Sequence, residues 1–371
     1  MKHRDIIPPV HISSTYEVSW DEARALALGE TDVPFYARYG NPTLQAVEQK
    51  IAAFCGGEDA LVVASGMAAI SLVPFALLQP GDEILATRTL YGGTSNLLAM
   101  VERWGISTNY TECDLSDAEA NISSRTKLLW LESPANPTNR IVSFDRAVRL
   151  AREHNLISVV DATLGPPPLQ HPLSHGIDLE LHSATKYFGG HSDLLAGAVV
   201  GGKELLAKLR ATHRILGAVL DARAAAELLR GLQTLPLRTQ HISATALQLA
   251  QKLEAHSKVA RVHYPHLQSH PDYDVAYEQM SAGGGILSFD LVENSEPAAR
   301  RFVEALQIVR HAPSLGGTES LVSYPPLSSH ANQSDEALAS AGITRGTLRL
   351  SIGLETENEL WRDIVGALSA V

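Results

Sequence analysis

The chain has 371 residues, 45% hydrophobic and 19% charged, a globular composition that excludes wholesale disorder and a length that predicts two domains. Its formal charge of −11 excludes a nucleic-acid backbone as partner, because counterion release needs clustered Lys and Arg. A local cationic pocket for a small anionic substrate is compatible with that balance. Cys55 and Cys113 form no C-x-x-C pair and no disulfide framework, and the basic opening Met1-Lys2-His3-Arg4 is followed by Asp5 to Pro9 rather than an apolar run. A reducing cytoplasm is the expected home.

Residues 1–45 read as an irregular arm punctuated by Pro8, Pro9, Pro34 and Pro42, with one helix near Trp20–Ala27, lying across a neighbour. A helix over Leu44–Phe54 and a strand over Ala60–Ala64 follow. No charge occurs between Ala60 and Leu78, a membrane-length stretch, but Ser65-Gly66 and Pro74 divide it into a buried strand, a turn and a buried helix. Strand Glu83–Ala86, helix Thr94–Trp104 and strands Ser107–Glu112 and Lys127–Leu131 come next. Helix Phe144–His154 and strands Ile157–Val160, Leu179–His182 and Gly197–Val200 complete the run. Short apolar strands alternating with helices predict a doubly wound, mostly parallel α/β sheet covered on both faces.

From about Ala222 to Leu253 the pattern is one long helical stretch. Beyond it come strand Gly285–Leu291, helix Pro297–Leu306 and helix Glu357–Leu368, the last opened by a capping-box pattern at Thr356 and Glu359. His263-Tyr264-Pro265-His266 reads as a surface turn and Ser281 to Gly285 as a loop. The expected division is an arm at 1–45, a cofactor domain at 46–235 and a smaller C-terminal α/β domain at 236–371.

Ligands of such sheets gather beyond the carboxyl ends of the strands. There Ile157–Val160 leads into Asp161, Leu179–His182 into Ser183-Ala184-Thr185-Lys186, and Ala60–Ala64 into Ser65-Gly66-Met67 at a helix start. Singly these are ordinary: a lysine is usually a solvated charge, an Asp after a strand a cap or turn former, Ser-Gly-Met a turn. Together they suit pyridoxal 5'-phosphate. That cofactor needs a Schiff-base lysine, an acid for its pyridinium nitrogen, and hydroxyls with N–H groups at a helix start for its phosphate. The fifteen histidines show no H-E-x-x-H or similar spacing, so no metal site is expected. G-x-S-x-G, the P-loop pattern and G-x-G-x-x-G are also missing, against hydrolase, nucleotide-hydrolysing and nicotinamide-dependent readings.

Tyr36-Ala37-Arg38-Tyr39-Gly40-Asn41-Pro42-Thr43, Ser183-Ala184-Thr185-Lys186-Tyr187 and Ser314-Leu315-Gly316-Gly317 occur in this order along the chain. In these blocks, and from Pro8 to Gly353, the sequence resembles the Cys/Met-metabolism, or trans-sulfuration, family of fold-type I pyridoxal phosphate enzymes. The resemblance implies an aspartate aminotransferase-like fold and a homotetramer built from dimers with shared active sites. It implies Lys186 as Schiff-base lysine and proton shuttle, and Asp161 as partner of the pyridinium nitrogen. Gly66, Met67, Ser183 and Thr185 would hold the phosphate, and Tyr91 would stack on the ring and act as acid or base. Asn136 would bond the phenolic oxygen, and Arg349, assisted by Ser314, would clamp the substrate carboxylate. Without the resemblance, Asn136 reads as an Asn-Pro turn, Tyr91 as a core aromatic and Arg349 as a surface arginine. Tyr36 and Arg38 would reach the phosphate of a neighbouring subunit.

Four positions depart from the family pattern. Ala162 and Leu164 replace an amide and an aromatic near the cofactor, Gly93 stands where methionine γ-lyases carry cysteine, and Pro313 stands where cystathionine-handling members carry glutamate. The expected activity is γ-elimination or γ-replacement on a homoserine-derived or methionine-like amino acid. A β-lyase acting on cystathionine or cysteine conjugates is the alternative, and a catalytically impaired cofactor-binding protein is a third reading. A small amino acid is the expected partner, with no nucleic acid and no membrane.

Overall fold

The computed structural model describes residues 5–31, 33–328, 331, 338, 339 and 341–371. The basic opening Met1–Arg4 lies outside them. The arm holds α1 (Trp20–Leu28), where Ser19 and Glu22 exchange capping-box hydrogen bonds; none of its residues is buried. After it run α2 (Pro42–Cys55), β1 (Asp59–Val63), α3 (Gly66–Leu77), β2 (Glu83–Thr87), α4 (Gly92–Val101), β3 (Ser107–Thr111) and β4 (Thr126–Glu132). Then come α5 (Phe144–His154), β5 (Ile157–Asp161), α6 (Pro172–His175), β6 (Leu179–His182) and β7 (Gly197–Gly201).

These strands form one sheet in the order β1-β7-β6-β5-β4-β2-β3. Strands β6, β5, β4, β2 and β3 pair in parallel, whereas β7 is antiparallel to both β1 and β6. The reason lies in the β6–β7 connection. Residues 183–196 contain no crossover helix, and a chain can return in parallel only through such a crossover. That connection carries Lys186. Since β1 is antiparallel to β7, it runs with the remaining strands, and their carboxyl ends share one edge. Alternate residues face opposite sides: Ile84, Leu128, Trp130 and Val159 pack with α3 and α4, while Leu85, Leu129, Leu131 and Val160 pack with α5. Helix α3 continues to Leu77 beyond Pro74, and among the described residues no helix is long and apolar enough to cross a membrane.

Helix α7 (Lys203–Leu216), which the sequence pattern had not suggested, buries only Leu206, Leu209 and His213. So narrow an apolar stripe is easily lost among four Lys and Arg residues. The long helical stretch is two helices, α8 (Ala222–Gln233) and α9 (Leu235–Glu254), divided at Thr234 with Pro236 in the first turn of α9. Proline is tolerated there because the first-turn N–H has no intrahelical acceptor anyway.

A second sheet contains β8 (Val259–His263), β9 (Ile286–Leu291), β10 (Arg310–His311), β11 (Leu321–Ser323) and β12 (Thr347–Ser351), ordered β10-β11-β12-β9-β8. Around it lie α10 (Tyr273–Gln279), α11 (Glu296–Ala305) and α12 (Glu357–Ser369); the capping box at Thr356 and Glu359 forms. Leu287, Phe289, Leu348 and Leu350 make its core with α9, α11 and α12. The segment expected as a surface turn is instead interior. His263 ends β8 and bonds Asp290 at 3.0 Å, and the wholly buried Tyr264 donates to the carbonyl oxygens of Ser243 and Gly284. Those partners satisfy the polar atoms that the sequence pattern alone would place in water.

Candidate active site

Lys186 lies within the turn that follows β6, and its Nζ donates to Ser314 Oγ at 2.8 Å. Burial lowers its ammonium pKa, and the nearby Arg349 guanidinium lowers it further. Ser314 sits at φ 94°, a conformation that costs a non-glycine residue energy and persists only when its surroundings impose it. The imposition is visible: Arg349 Nη2 donates to the Ser314 carbonyl at 2.9 Å, and Gly316 N–H donates to Ser351 Oγ at 3.0 Å.

Arg349 comes from β12 of the second sheet, and it is buried rather than on the surface. Its Nη1 donates to Asn136 Oδ1 at 2.9 Å, and its Nε is buried with no acceptor among the described residues. Burial brings its pKa down to about 10, which leaves it cationic at neutral pH. A buried cation with an unspent donor has the chemistry to receive a carboxylate. Asn136 is itself held, its N–H donating to Glu132 Oε1 at 3.0 Å.

Asp161 closes β5. Its Oδ1 accepts from Thr163 N–H at 3.0 Å and Thr163 Oγ1 at 2.6 Å, while Oδ2 accepts from none of the described residues. Burial raises its pKa, against the pull of the Thr163 hydrogen bonds and of His182. A desolvated carboxylate with one free oxygen gains most from a cationic N–H partner, which is what a pyridinium nitrogen offers. Thr163 Oγ1 also accepts from Ser183 N–H at 2.8 Å, joining the acid to the phosphate side of the site. Sequence reasoning passed over Thr163, although an Asp with Thr two residues later is the pattern of a side-chain-to-backbone turn.

Helix α3 starts at this edge, and the N–H groups of Gly66 and Met67 in its first turn have no intrahelical acceptor. A Cβ on Gly66 would lie 2.8 Å from Ser183 Oγ, so the Ser183 hydroxyl stands directly against the helix start. Thr185 does something different. Its hydroxyl donates to Ala196 O at 3.1 Å and accepts from Ala196 N–H at 2.9 Å, so its one proton is already used to close the β6–β7 connection. Tyr91 caps α4 and is 45% exposed. Its ring lies beside Met67: a Cβ on Gly93 would meet Tyr91 Cε1 at 2.5 Å and Met67 Sδ at 2.7 Å. Glycine at 93 therefore belongs to the placement of this ring.

Tyr36 and Arg38 are not brought to Lys186. Arg38 Nη1 donates to Arg214 O at 2.5 Å and its guanidinium lies over the Tyr36 and Tyr39 rings, at 5.5 and 4.8 Å from their centroids. No metal-ligand spacing is visible in the sequence, yet Cys55, Glu180 and His182 bring their ligand atoms within 4.8 Å of one another, all buried. His182 Nε2 lies 2.6 Å from Glu180 Oε1 and 3.9 Å from Cys55 Sγ. Of this trio, His182 bears on the site by helping to lower the Asp161 pKa.

The profile described as Cys/Met metabolism PLP-dependent enzyme matches residues 1–369. The chain belongs to this family. It is similar to L-methionine gamma-lyase of Pseudomonas putida, 40% identical over 98% of this chain and 93% of the relative. To cystathionine beta-lyase of Bacillus subtilis it is 39% identical over 98% of this chain and 92% of the relative. Among solved structures, cystathionine gamma synthase of Xanthomonas oryzae pv. oryzae superposes with a TM-score of 0.92 at 36% identity, covering 98% and 93% of the two chains. The fold is the α/β fold-type I fold, and the protein is a pyridoxal phosphate-dependent enzyme of the trans-sulfuration family. The free Asp161 oxygen, the vacant donors of α3 and the spare Arg349 Nε fit that cofactor and an amino-acid substrate.

Proposed function

We propose that this enzyme catalyses γ-elimination or γ-replacement on a homoserine-derived or methionine-like sulfur amino acid. The supporting observation is the run of hydrogen bonds joining Lys186, Ser314, Arg349 and Asn136, with Arg349 Nε left unspent. Pyridoxal phosphate, when bound, accepts the electrons released as protons leave the substrate carbons. Asp161 holds the proton on the ring nitrogen, Gly66, Met67 and Ser183 hold the phosphate, and Thr185 shapes the turn that carries Lys186. Arg349 clamps the substrate carboxylate through Nε and a terminal nitrogen, with Ser314 held beside it. Asn136 takes the phenolic oxygen, and Tyr91 covers the ring.

Lys186, whose ammonium burial disfavours, removes the Cα proton. Chemistry at Cγ requires a second proton to leave Cβ; Tyr91 takes it, or Lys186 does once it has passed on the Cα proton, and the other group protonates the departing sulfur or oxygen. Pro313 places no carboxylate before Ser314, so a tail carrying a second ammonium meets no fixed anion there. That favours a short or apolar tail. The enzyme acts as a cytoplasmic homotetramer built from dimers, with the arm 1–45 reaching a neighbour, residues 46–235 binding the cofactor and 236–371 completing the substrate side.

The test is a product assay on the loaded enzyme with methionine, homocysteine, cystathionine, cysteine and O-acyl-homoserines, each with and without a thiol. 2-Oxobutanoate, or a thioether made from an O-acyl-homoserine, supports the γ reading; pyruvate alone makes the enzyme a β-lyase. Spectral response to substrate without product makes it a binding protein. The lysine has its own check: Lys186→Ala is expected to lose the visible cofactor band, and a surviving band sinks the assignment.

A further inference from the structure

Glu132 ends β4 with 3% of its surface exposed and no cationic side chain bonded to it among the described residues. Burying a carboxylate in this way is costly unless its oxygens are satisfied. Both are satisfied by backbone. Oε2 accepts from Tyr91 N–H at 2.6 Å, and Oε1 accepts from Asn136 N–H at 3.0 Å. Tyr91 follows β2 and Asn136 follows β4, so one carboxylate ties two separate loops together at the strand ends. From Asn136 the connection continues through Arg349 and the Ser314 carbonyl, and Ser314 Oγ in turn accepts from Lys186.

We propose that Glu132 is a positioning residue of the trans-sulfuration site: it clamps the backbone at Tyr91 and at Asn136, so that the ring-covering tyrosine and the Asn136–Arg349 pair are set by one group. The inference rests on the functional reading above. Its physical basis is the need for two acceptors. Two N–H donors converge on the side chain, and a carboxyl group offers an accepting oxygen to each. An amide presents NH₂ to one of them and releases that loop. Burial and the neighbouring Asp161 push the Glu132 pKa up to about 8, and the hydrogen bonds from the two N–H groups pull against that rise. Pairing of Asp161 with a cationic ring nitrogen removes part of that repulsion, so a filled site strengthens its own clamp.

The experiment uses Glu132→Gln loaded with pyridoxal phosphate. Expected are a visible band at wild-type occupancy, a visible circular dichroism signal of that band reduced by roughly half or more, and kcat lowered about 10- to 100-fold, as for a misplaced reacting group. Glu132→Asp, which retains two acceptor oxygens at shorter reach, recovers part of the dichroism. A Glu132→Gln enzyme with wild-type dichroism, kcat and KM overturns the proposal. Hydrogen exchange on the wild-type enzyme tests it independently of how the variants fold: the Tyr91 and Asn136 amides are expected to be protected, and rapid exchange of either overturns the clamp. A wild type that forms no cofactor band, with both amides protected, overturns the functional reading and leaves the clamp itself standing.

Discussion

At the scale of single residues, Arg349 carries the most chemistry for its size. Its two terminal nitrogens already fix Asn136 and Ser314, so the guanidinium is oriented before any substrate arrives, with Nε and the second N–H of a terminal nitrogen left to be used. Lysine could keep the charge but could not hold both neighbours in a fixed fork. Arg349→Lys is therefore expected to raise KM for the amino acid about 10- to 100-fold, the loss of one or two charge-assisted hydrogen bonds, with the cofactor band retained. Steady-state kinetics beside an absorbance spectrum decide it; an unchanged KM would place the carboxylate elsewhere. The sequence showed Arg349 only through its motif, since an arginine in a β-strand reads as surface. Glu132 and Thr163 were not singled out at all. Their roles depend on partners 41 and 20 residues away, Tyr91 and Ser183, and local spacing does not encode such meetings.

At the scale of elements, legibility followed the strength of the local signal. Helix α5 has its expected ends, because Ser143 caps it, Asn155 stops it in the left-handed region, and one strongly apolar face lies between. The direction of β7 and the break between α8 and α9 were not legible, being settled by connection and packing. Helix α7 was missed for its charge, yet that charge is structural. Arg210 of α7 reaches Glu48 of α2 at 3.1 Å and Asp59 of β1 at 2.9 Å, and Glu48 also accepts from Val62 N–H at 3.1 Å. Burial outweighs Arg210 here and raises the Glu48 pKa from 4.5 to about 7. Between those values the folded chain keeps a proton that the unfolded chain has released. The unfolded state then binds fewer protons, so stability falls as pH rises from about 4.5 to 7 and levels off above it. The contribution is about 3 kcal/mol. Glu132, raised to about 8, acts in the same direction and extends the decline. Glu48→Gln is expected to flatten the fall of the urea midpoint between pH 5 and 7; an unchanged slope would mean that Glu48 titrates normally.

At the scale of the whole molecule, the two sheets meet where the first supplies Lys186 and Asp161 and the second supplies Arg349. The arm is set apart from that meeting. A cavity of about 760 Å³ lies among the arm, α2 and α7, lined by Arg38, Tyr39, Glu48, Arg210 and Arg214 but by neither Lys186 nor Asp161. Arg38 rests there on a backbone carbonyl and two aromatic rings, with no carboxylate bound to it among the described residues. A cation so placed has charge to give to an anion outside its own chain, which is the geometry a shared active site requires. Subunit mixing tests this directly. Arg38→Ala and Lys186→Ala should each be nearly inactive alone. In a mixed dimer, one site combines Lys186 of the first variant with Arg38 of the second and is intact, while the other site lacks both. Equal amounts, unfolded and reassembled together, are therefore expected to regain about a quarter of wild-type activity, because half of the random dimers are mixed and each has one good site. Regain of that size places Arg38 across the interface. No regain, with mixed dimers demonstrated by mass, would confine Arg38 to its own subunit and make each site the property of a single chain.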